Sequence, residues 1–576
     1  MSSTTGGLLL VFAVLLPFAG VLIGFALGGR KAQWVAAITI VAGVVNTVAI
    51  AAVFERADGA LVYLLGNWSP PLGIALRADG LAVAMMLAVA AVIAGIGVYA
   101  RSSFSTPAGA VEKRAPLVFW VLLLAIWGSL NLVFVSGDLF TLYVALELLT
   151  FTAVPLVSLE GRADTLRAAL RYLLYALLGS VFYLLGAVLL YGAYGTLDIS
   201  LLADQIDATP TVLVAAALMT AGLLAKTALF PLHLWLPPAH GGAPAAASAI
   251  LSALVIKGSW FLVVRLWFDV LPGVVTLSSA QLLAAMGAAA ILVGNLVALR
   301  QQRLKLLVAY STVAQIGYLF LMFPLAFDAD GGGLVRGAVL DGGMLQAISH
   351  ALAKAAMFMA AGSVYYALGH DRIADMAGAA RALPLTLLTF AVAGLVLMGL
   401  PPGGAWVAKK ILLEAAADSG QWWWEVVMQL GGFLTASYVL LVLGFAFGRA
   451  ERPLQLHKPV SRLAEAAALT LALSSLLLGF IATGTSLPDA LAGALAVKEL
   501  QSALLVFAAG ALLALGFALR PPPQARPIGA LVNPIRRITV GLGSMLVSLD
   551  AVLRQWAVAG IALVAVALGL GFAMLN

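Results

Sequence analysis

VLVAAALMTAGLLAKTALFPLHLWLPPAH, residues 212–240, carries a lysine inside an apolar run and a proline shortly after it. The residues before Lys226 have the Leu/Ala/Val composition of a membrane helix and lack the alternation that a membrane β-strand needs. Pro231 cannot continue that helix, because proline has no N–H and its ring clashes with the preceding turn. Backbone breaks at membrane depth are tolerated only against protein or a water-lined cavity. The segment therefore reads as a broken transmembrane helix with a buried charge beside the break.

The same texture runs through the whole chain of 576 residues, of which 63% are hydrophobic and 10% charged. Soluble domains run at about 45–50% and about 25%, so lipid must be the solvent for much of this sequence. Sixteen apolar stretches follow one another, from residues 7–28 to residues 556–575. They predict an all-α polytopic membrane protein of about 14–16 transmembrane helices, with no room for a soluble domain. The first stretch has no basic region before it and is followed by Arg30 and Lys31, so it reads as a retained span.

The net charge of +7 is a topology signal and does not point to nucleic acid. Loops after odd-numbered spans collect bases, among them Arg101, Lys113, Arg162, Arg300, Arg303, Arg372 and Lys458. The alternate loops are mostly acidic or neutral, with Asp58, Asp198, Asp204 and Asp207. By the positive-inside rule the amino terminus is expected on the outer side of a bacterial cytoplasmic membrane. The chain has no cysteine, which excludes iron–sulfur clusters, thiolate zinc and attached c-type haem. The five histidines are scattered, and neither a cofactor nor a metal site is expected.

Charges within the spans carry the functional information. Each costs about 2.5–3.5 kcal/mol at a helix centre and needs a reason. Glu147 lies in LYVALELLTF, Lys226 in AGLLAKTALF, Lys257 in LSALVIKGSW, His350 and Lys354 in AISHALAKAAMF, and Lys409 in WVAKKILLEA. One acid cannot neutralise four lysines, so structural pairing explains the set poorly. A proton relay is built from such groups, because burial and neighbouring charge can switch an amine's proton on or off. His350 and Lys354 are four residues apart and share a helix face. A second break, Pro401, Pro402, Gly403 and Gly404, precedes Lys409 as Pro231 follows Lys226.

Other residues rank lower. Asp138 opens the Glu147 helix, where capping accounts for an acid. His233 and His240 are expected on a polar loop after the first break, with proton uptake as an alternative role. Lys305 could feed protons inward from the basic side, but equally ends an RQQRLK topology cluster. Lys410 points about 100° away from Lys409 on a helix. Trp422, Trp423 and Trp424 resemble an interfacial anchor. Residues 528–554, after a PPPQARP hinge, show helical spacing of apolar residues among Arg536, Arg537, Asp550 and Arg554, and predict an amphipathic helix at the interface.

Together GDLFTLYVALELL, KTALFPLHLWLPPAH, SALVIKG, LKLLVAYSTVAQIGY, HALAKAAMFMAAG and LPPGGAWVAKK resemble a known family. It is that of the antiporter-like, proton-translocating subunits shared by respiratory complex I, Mrp-type cation/proton antiporters and membrane-bound hydrogenases. Lys257 and the LGNWSPPLGIALRADGLAVAMM stretch look most like the D-type member of the Mrp assembly, whereas APAAASA and PPGGAW depart from the usual motifs. The resemblance implies a Glu147–Lys226 couple, a central relay of Lys257, His350 and Lys354, and Lys409 as the terminal lysine. It also implies two inverted five-helix repeats, residues 116–270 and 271–450, after amino-terminal helices in 1–115 and before helices in 451–520 and a tail in 521–576. The expected function is proton conduction within a multisubunit antiporter, with protons or sodium as cargo and other membrane subunits as partners. The alternatives are the membrane arm of a complex I-like or hydrogenase-type oxidoreductase and a proton-driven partner of inorganic-carbon uptake. Whether the assembly is an enzyme stays open, since no redox or hydrolytic site is legible on this chain.

Overall fold

The computed structural model describes residues 2–106, 109, 111–328, 333–450, 454–482, 492–517 and 529–575. Seven long helices lead from the amino terminus to the first break: α1 (Leu8–Leu27), α2 (Gly29–Phe54), α3 (Gly80–Phe104), α4 (Arg114–Val135), α5 (Leu139–Val157), α6 (Ala163–Tyr194) and α7 (Pro210–Thr227). Four continuous helices follow: α8 (Ala245–Val270), α9 (Leu277–Leu299), α10 (Leu304–Leu325) and α11 (Ala338–Leu368). The second break separates α12 (Pro384–Leu397) from α13 (Gly404–Asp418). Beyond it lie α14 (Trp422–Ala446), α15 (Arg462–Ala482), α16 (Val497–Phe517), α17 (Gly529–Leu553) and α18 (Trp556–Leu575). Among the described residues 15 helices are long and apolar enough to cross a membrane. The broken pair α12 and α13 accounts for the sixteenth stretch of the sequence.

Local chemistry sets the helix starts. Asp79, Asp138 and Thr209 each accept a hydrogen bond from a backbone N–H of the following first turn, and Thr276 and Ser279 form a reciprocal capping box. Pro210 occupies a first-turn position of α7, where its missing N–H costs nothing. The stretch 61–78 adds a small exception to the all-helical expectation, an antiparallel hairpin of β1 (Leu61–Leu64) and β2 (Ala75–Ala78).

Burial sorts the helices into an inner and an outer set. Every residue in the most apolar window of α8 is buried, and α10 and α11 are nearly as enclosed. The windows of α1 and α18 are each only 28% buried, and they expose Leu22, Phe25, Ile561 and Leu568. Such apolar faces are what a bilayer covers. Lys257, His350 and Lys354 therefore sit on the most enclosed helices, while Glu147 lies on the less enclosed α5.

Glycines let the inner helices approach. A Cβ on Gly222 of α7 would stand 2.3 Å from the Gly179 carbonyl of α6. Only glycine at both positions permits that contact, which brings Ser180 and Lys226 toward α5.

Loop contacts respect the alternation of spans. At one end Arg303 pairs with Asp371 and donates to the Gly241 carbonyl, and Arg162 donates to the Gly242 carbonyl, joining the connections after α5, α7, α9 and α11. At the other end Arg265 bridges Asp79 and Asp269, Arg336 pairs with Asp269, and Arg77 donates to Ser200. Arg265 and Arg336 at this second end are thus held by acids. The carboxy-terminal helix α18 packs on α7, and Thr276 donates to its Ala573 carbonyl at 2.7 Å. The PPPQARP hinge lies outside the described residues.

Two expectations test this architecture. Gly222→Val should cost about 1–3 kcal/mol through overpacking, read as an earlier midpoint of thermal unfolding; an unchanged midpoint contradicts the close α6–α7 approach. The chain has no cysteine, so single introduced thiols report sidedness. Glu160→Cys and Arg372→Cys, at exposed loop positions, should label from one face of sealed vesicles, and the exposed Arg56→Cys and Asp207→Cys from the other. Labelling of Glu160→Cys and Arg56→Cys from the same face would refute the arrangement.

Candidate functional site

The first cluster joins α5, α6 and α7. Asp138 caps α5 by accepting from the Thr141 N–H at 2.7 Å and the Thr141 hydroxyl at 3.0 Å. Further along the same helix, the Glu147 carboxylate accepts from Lys226 Nζ at 3.0 Å and from the Ser180 hydroxyl. Lys226 also donates to Thr150 Oγ1 at 2.9 Å. The lysine occupies the last turn of α7, where free carbonyls favour a cation. The helix stops at Thr227 because Ala228 adopts a left-handed conformation with φ 58°, which is uncommon outside glycine. The break thus begins three residues before Pro231. Thr227 Oγ1 contacts Ser259 Oγ of α8 at 2.9 Å and carries the polar run inward. A cavity of about 10 Å³ lies beside Lys226, Thr150 and Ser259, close to the space of one water.

The second cluster joins α8, α10 and α11. Wide π-type turns at Leu251–Val255 and Leu266–Val270 flank the Lys257 segment; such turns recur at functional sites. Lys257 Nζ donates to the Ser252 carbonyl at 2.7 Å and stands 2.6 Å from His350 Nδ1. An ammonium can only donate, so a charged Lys257 requires Nδ1 to accept. A proton on Nδ1 instead requires a neutral amine, and the contact therefore allows one proton to reside on either partner. Lys354 Nζ donates to the Val308 carbonyl at 3.3 Å and to the Ser311 hydroxyl. Ser252 and Thr312 hydroxyls, 2.9 Å apart, tie the two lysine sites together. Among the described residues neither Lys257, Lys354 nor Lys409 forms an ion pair.

The structure corrects the reading of His233 and His240 as polar-loop residues. Both are buried, because the segment after α7 folds back into the bundle as a short helix, Leu236–Gly242. The His240 ring stacks on Phe358 at 4.7 Å, and neither ring nitrogen has a hydrogen-bond partner among the described residues. Lys305 donates to the Ala243 carbonyl at 2.6 Å and lines a cavity of about 670 Å³ with Ser102, Glu160, Ser363 and Tyr365. That cavity lies at the basic end of the bundle.

The third cluster surrounds the second break. Met398–Gly403 separates α12 from α13, placing Pro401, Pro402 and Gly403 in the gap and Gly404 at the start of α13. Lys409 is half-buried and donates to Gln429 Oε1 at 3.1 Å, while Lys410 is exposed. Gln315 of α10 donates to the Leu397 carbonyl at 3.1 Å and neighbours Thr435 and Gln346. No direct hydrogen bond among the described residues joins Lys354 to Lys409; uncharged polar groups occupy the interval. Ser311, Thr312 and Gln315 escape a search for charges. Their signal is polar residues recurring on one face of an apolar helix. Of the three tryptophans that open α14, Trp422 and Trp423 are exposed, whereas Trp424 turns inward and donates to Gln281.

No group of three or more His, Asp or Glu among the described residues is placed to hold a metal ion. A buried run of titratable groups joined by hydroxyls can pass protons.

The family model for the membrane domain of NADH:quinone oxidoreductase and Mrp antiporter subunits matches residues 136–435. The N subunit of the NADH-quinone oxidoreductase of Desulforudis audaxviator is 36% identical over 405 residues, covering 68% of this chain and 78% of that protein. The D-type subunit of the Na(+)/H(+) antiporter of Bacillus subtilis is 27% identical over 438 residues, covering 75% of this chain and 85% of that protein. A chain of the Mrp complex from a Dietzia species superposes with a TM-score of 0.74 at 22% identity, covering 92% of this chain and all of that one. A chain of an archaeal membrane-bound sulfane sulfur reductase gives 0.72 at 24% identity, covering 87% and 97%. Those two likenesses establish a shared fold. The matched region contains both breaks and every buried charge described above, and the chain belongs to the NADH:quinone oxidoreductase/Mrp antiporter family of membrane subunits.

Proposed function

We propose that this chain is the proton-conducting subunit of a multisubunit cation/proton antiporter, and that the buried titratable groups are its path. The observation that carries the reading is the mismatch of charge along the inner helices: one carboxylate, Glu147, faces one lysine, and three further lysines rest on neutral acceptors. A fully paired set would read as structure alone. With the Glu147–Lys226 pair closed, the carboxylate stabilises the ammonium. Opening it leaves a buried, uncompensated charge at a cost of about 3–5 kcal/mol, which drives the proton toward Lys257 and His350. A proton arriving there repels the charge on Lys354 and sends it onward through the Ser311–Gln315 face toward Lys409. Lys305, beside the large cavity at the basic end, and the buried His240 are the uptake side.

In this reading the protein lies in a bacterial cytoplasmic membrane, with its amino terminus outside and the basic loops in the cytoplasm. Residues 116–270 and 271–450 act as two inverted repeats, each with a broken helix and an adjacent lysine. Broken helices at equivalent places in two halves support this, since such breaks mark ion sites in repeat-built transporters.

A second reading, the membrane arm of a redox-driven pump, is favoured by the higher identity to the NADH-quinone oxidoreductase chain than to the antiporter chain. The path would be the same and only the driving force would differ.

Glu147→Ala and Lys226→Ala should each abolish proton-coupled transport in vesicles while the complex still assembles; normal transport by either variant sinks the proposal. Purification of the intact complex separates the two readings. Only small membrane subunits are expected beside this chain. Co-purifying iron–sulfur subunits would assign it to a redox pump, and a large soluble zinc-binding partner to inorganic-carbon uptake.

A further inference from the structure

Outside the proton path, four polar side chains from three separate parts of the chain meet in one buried cluster. His233 lies between α7 and the short helix Leu236–Gly242, and its Nε2 is 2.7 Å from Asp550 Oδ1. Asp550 Oδ2 accepts from the Tyr310 hydroxyl at 2.7 Å and from Arg554 Nε at 2.9 Å. His233 and Asp550 are each only 1% exposed. Asp550 belongs to α17, beyond residues 136–435 that the family model covers. From the sequence it is one of several polar residues on an interfacial helix. In the fold its side chain is buried and points into the bundle.

The chemistry of the cluster fixes geometry. An ionised carboxylate only accepts, so His233 must donate through Nε2 and its tautomer is set. Burial opposes ionisation of Asp550, but His233, Arg554 and Tyr310 together hold its carboxyl below the usual range. The His233 ring also stacks on Phe230 at 5.2 Å. Both residues belong to the connection that begins where Lys226 ends its helix. Trp235 pins the same connection, donating to the Ala225 carbonyl at 3.1 Å and stacking on Tyr172 at 4.1 Å. Tyr310 precedes Ser311 on α10, and Val308 and Ser311 are the acceptors of Lys354. One carboxylate thus grips both the break below Lys226 and the helix that receives Lys354.

We propose that Asp550 is a positioning residue for proton transfer, and that helix α17 is part of this chain's own transport machinery. Through His233 it sets the break that follows Lys226, through Tyr310 it sets α10 and the acceptors of Lys354, and so it fixes the two ends of the relay relative to each other. The inference rests on the reading of the buried titratable groups as a proton path. Helix α17 acts here within its own chain: Arg300 of the α9–α10 connection donates to its Ser544 at 3.0 Å, and Tyr175 of α6 meets the following α18 at the Ala559 carbonyl.

The test uses the intact complex reconstituted in vesicles, with transport rates normalised to assembled complex. Asp550→Asn keeps the shape of the side chain and removes its charge; His233→Gln removes the partner. Each should slow proton-coupled transport by about tenfold or more, the range expected when a reacting group is displaced by less than an ångström. Asp550→Glu should recover most of the rate, and Asp550→Asn combined with His233→Gln should be no slower than the slower single variant. Wild-type rates in an assembled Asp550→Asn complex overturn the proposal, as do losses that multiply in the double variant. Should Asp550→Asn fail to assemble, His233→Gln decides alone, with an assembled complex at wild-type rate overturning it. Glu147→Ala runs alongside. If that variant transports normally, the proton path itself is wrong; if it is inactive while Asp550→Asn is normal, only the role of Asp550 falls.

Discussion

The 3.0 Å contact between Lys226 and Glu147 exists because an isolated charge among apolar helices costs several kcal/mol. Much of the surrounding architecture follows from satisfying it. The carboxylate needs a second donor and finds Ser180, which lies on α6. The ammonium needs a second acceptor and finds Thr150, one helical turn beyond Glu147 on α5. For three helices to bring these groups together, two of them must approach closely, and Gly179 and Gly222 allow it. The left-handed Ala228 then ends α7 where the lysine can reach the carboxylate.

The same constraint explains the chemistry of the remaining lysines. Lys257 and Lys354 lie on the most enclosed helices and neither has a carboxylate partner among the described residues; each rests on a backbone carbonyl together with a histidine or serine side chain. Such sites tolerate either protonation state better than an ion pair would, because neither form strands a formal counter-charge. The uncharged bridge of Ser252, Thr312, Ser311 and Gln315 joins these sites without adding charges that would trap a proton.

Much of this was legible beforehand, and for a definite reason. Glu147, Lys226, Lys257, His350, Lys354 and Lys409 stand out in the sequence because a charge in an apolar span is costly and rare. The two breaks stand out because proline and glycine interrupt helices whatever the surroundings. Ser311 and Gln315 did not stand out, since an uncharged polar residue in a membrane helix is common and cheap. The sequence places His233 and His240 on a polar loop, because their proline-rich neighbourhood looks like a turn and nothing in it shows that the chain re-enters the bundle. Asp550 was hidden by its helix, whose amphipathic pattern predicts an interfacial position for every polar residue on it.

The sequence alone determined the all-helical membrane architecture, the approximate number of spans, the two interruptions and the family, because hydropathy, charge cost and backbone-breaking residues act locally. Only the tertiary structure decided which groups are partners. That Glu147 serves Lys226, that Lys257 shares a proton site with His350, and that Asp550 reaches His233 across 317 positions depend on helix packing. Packing is set by shape complementarity between segments far apart in the chain, and no local pattern records it.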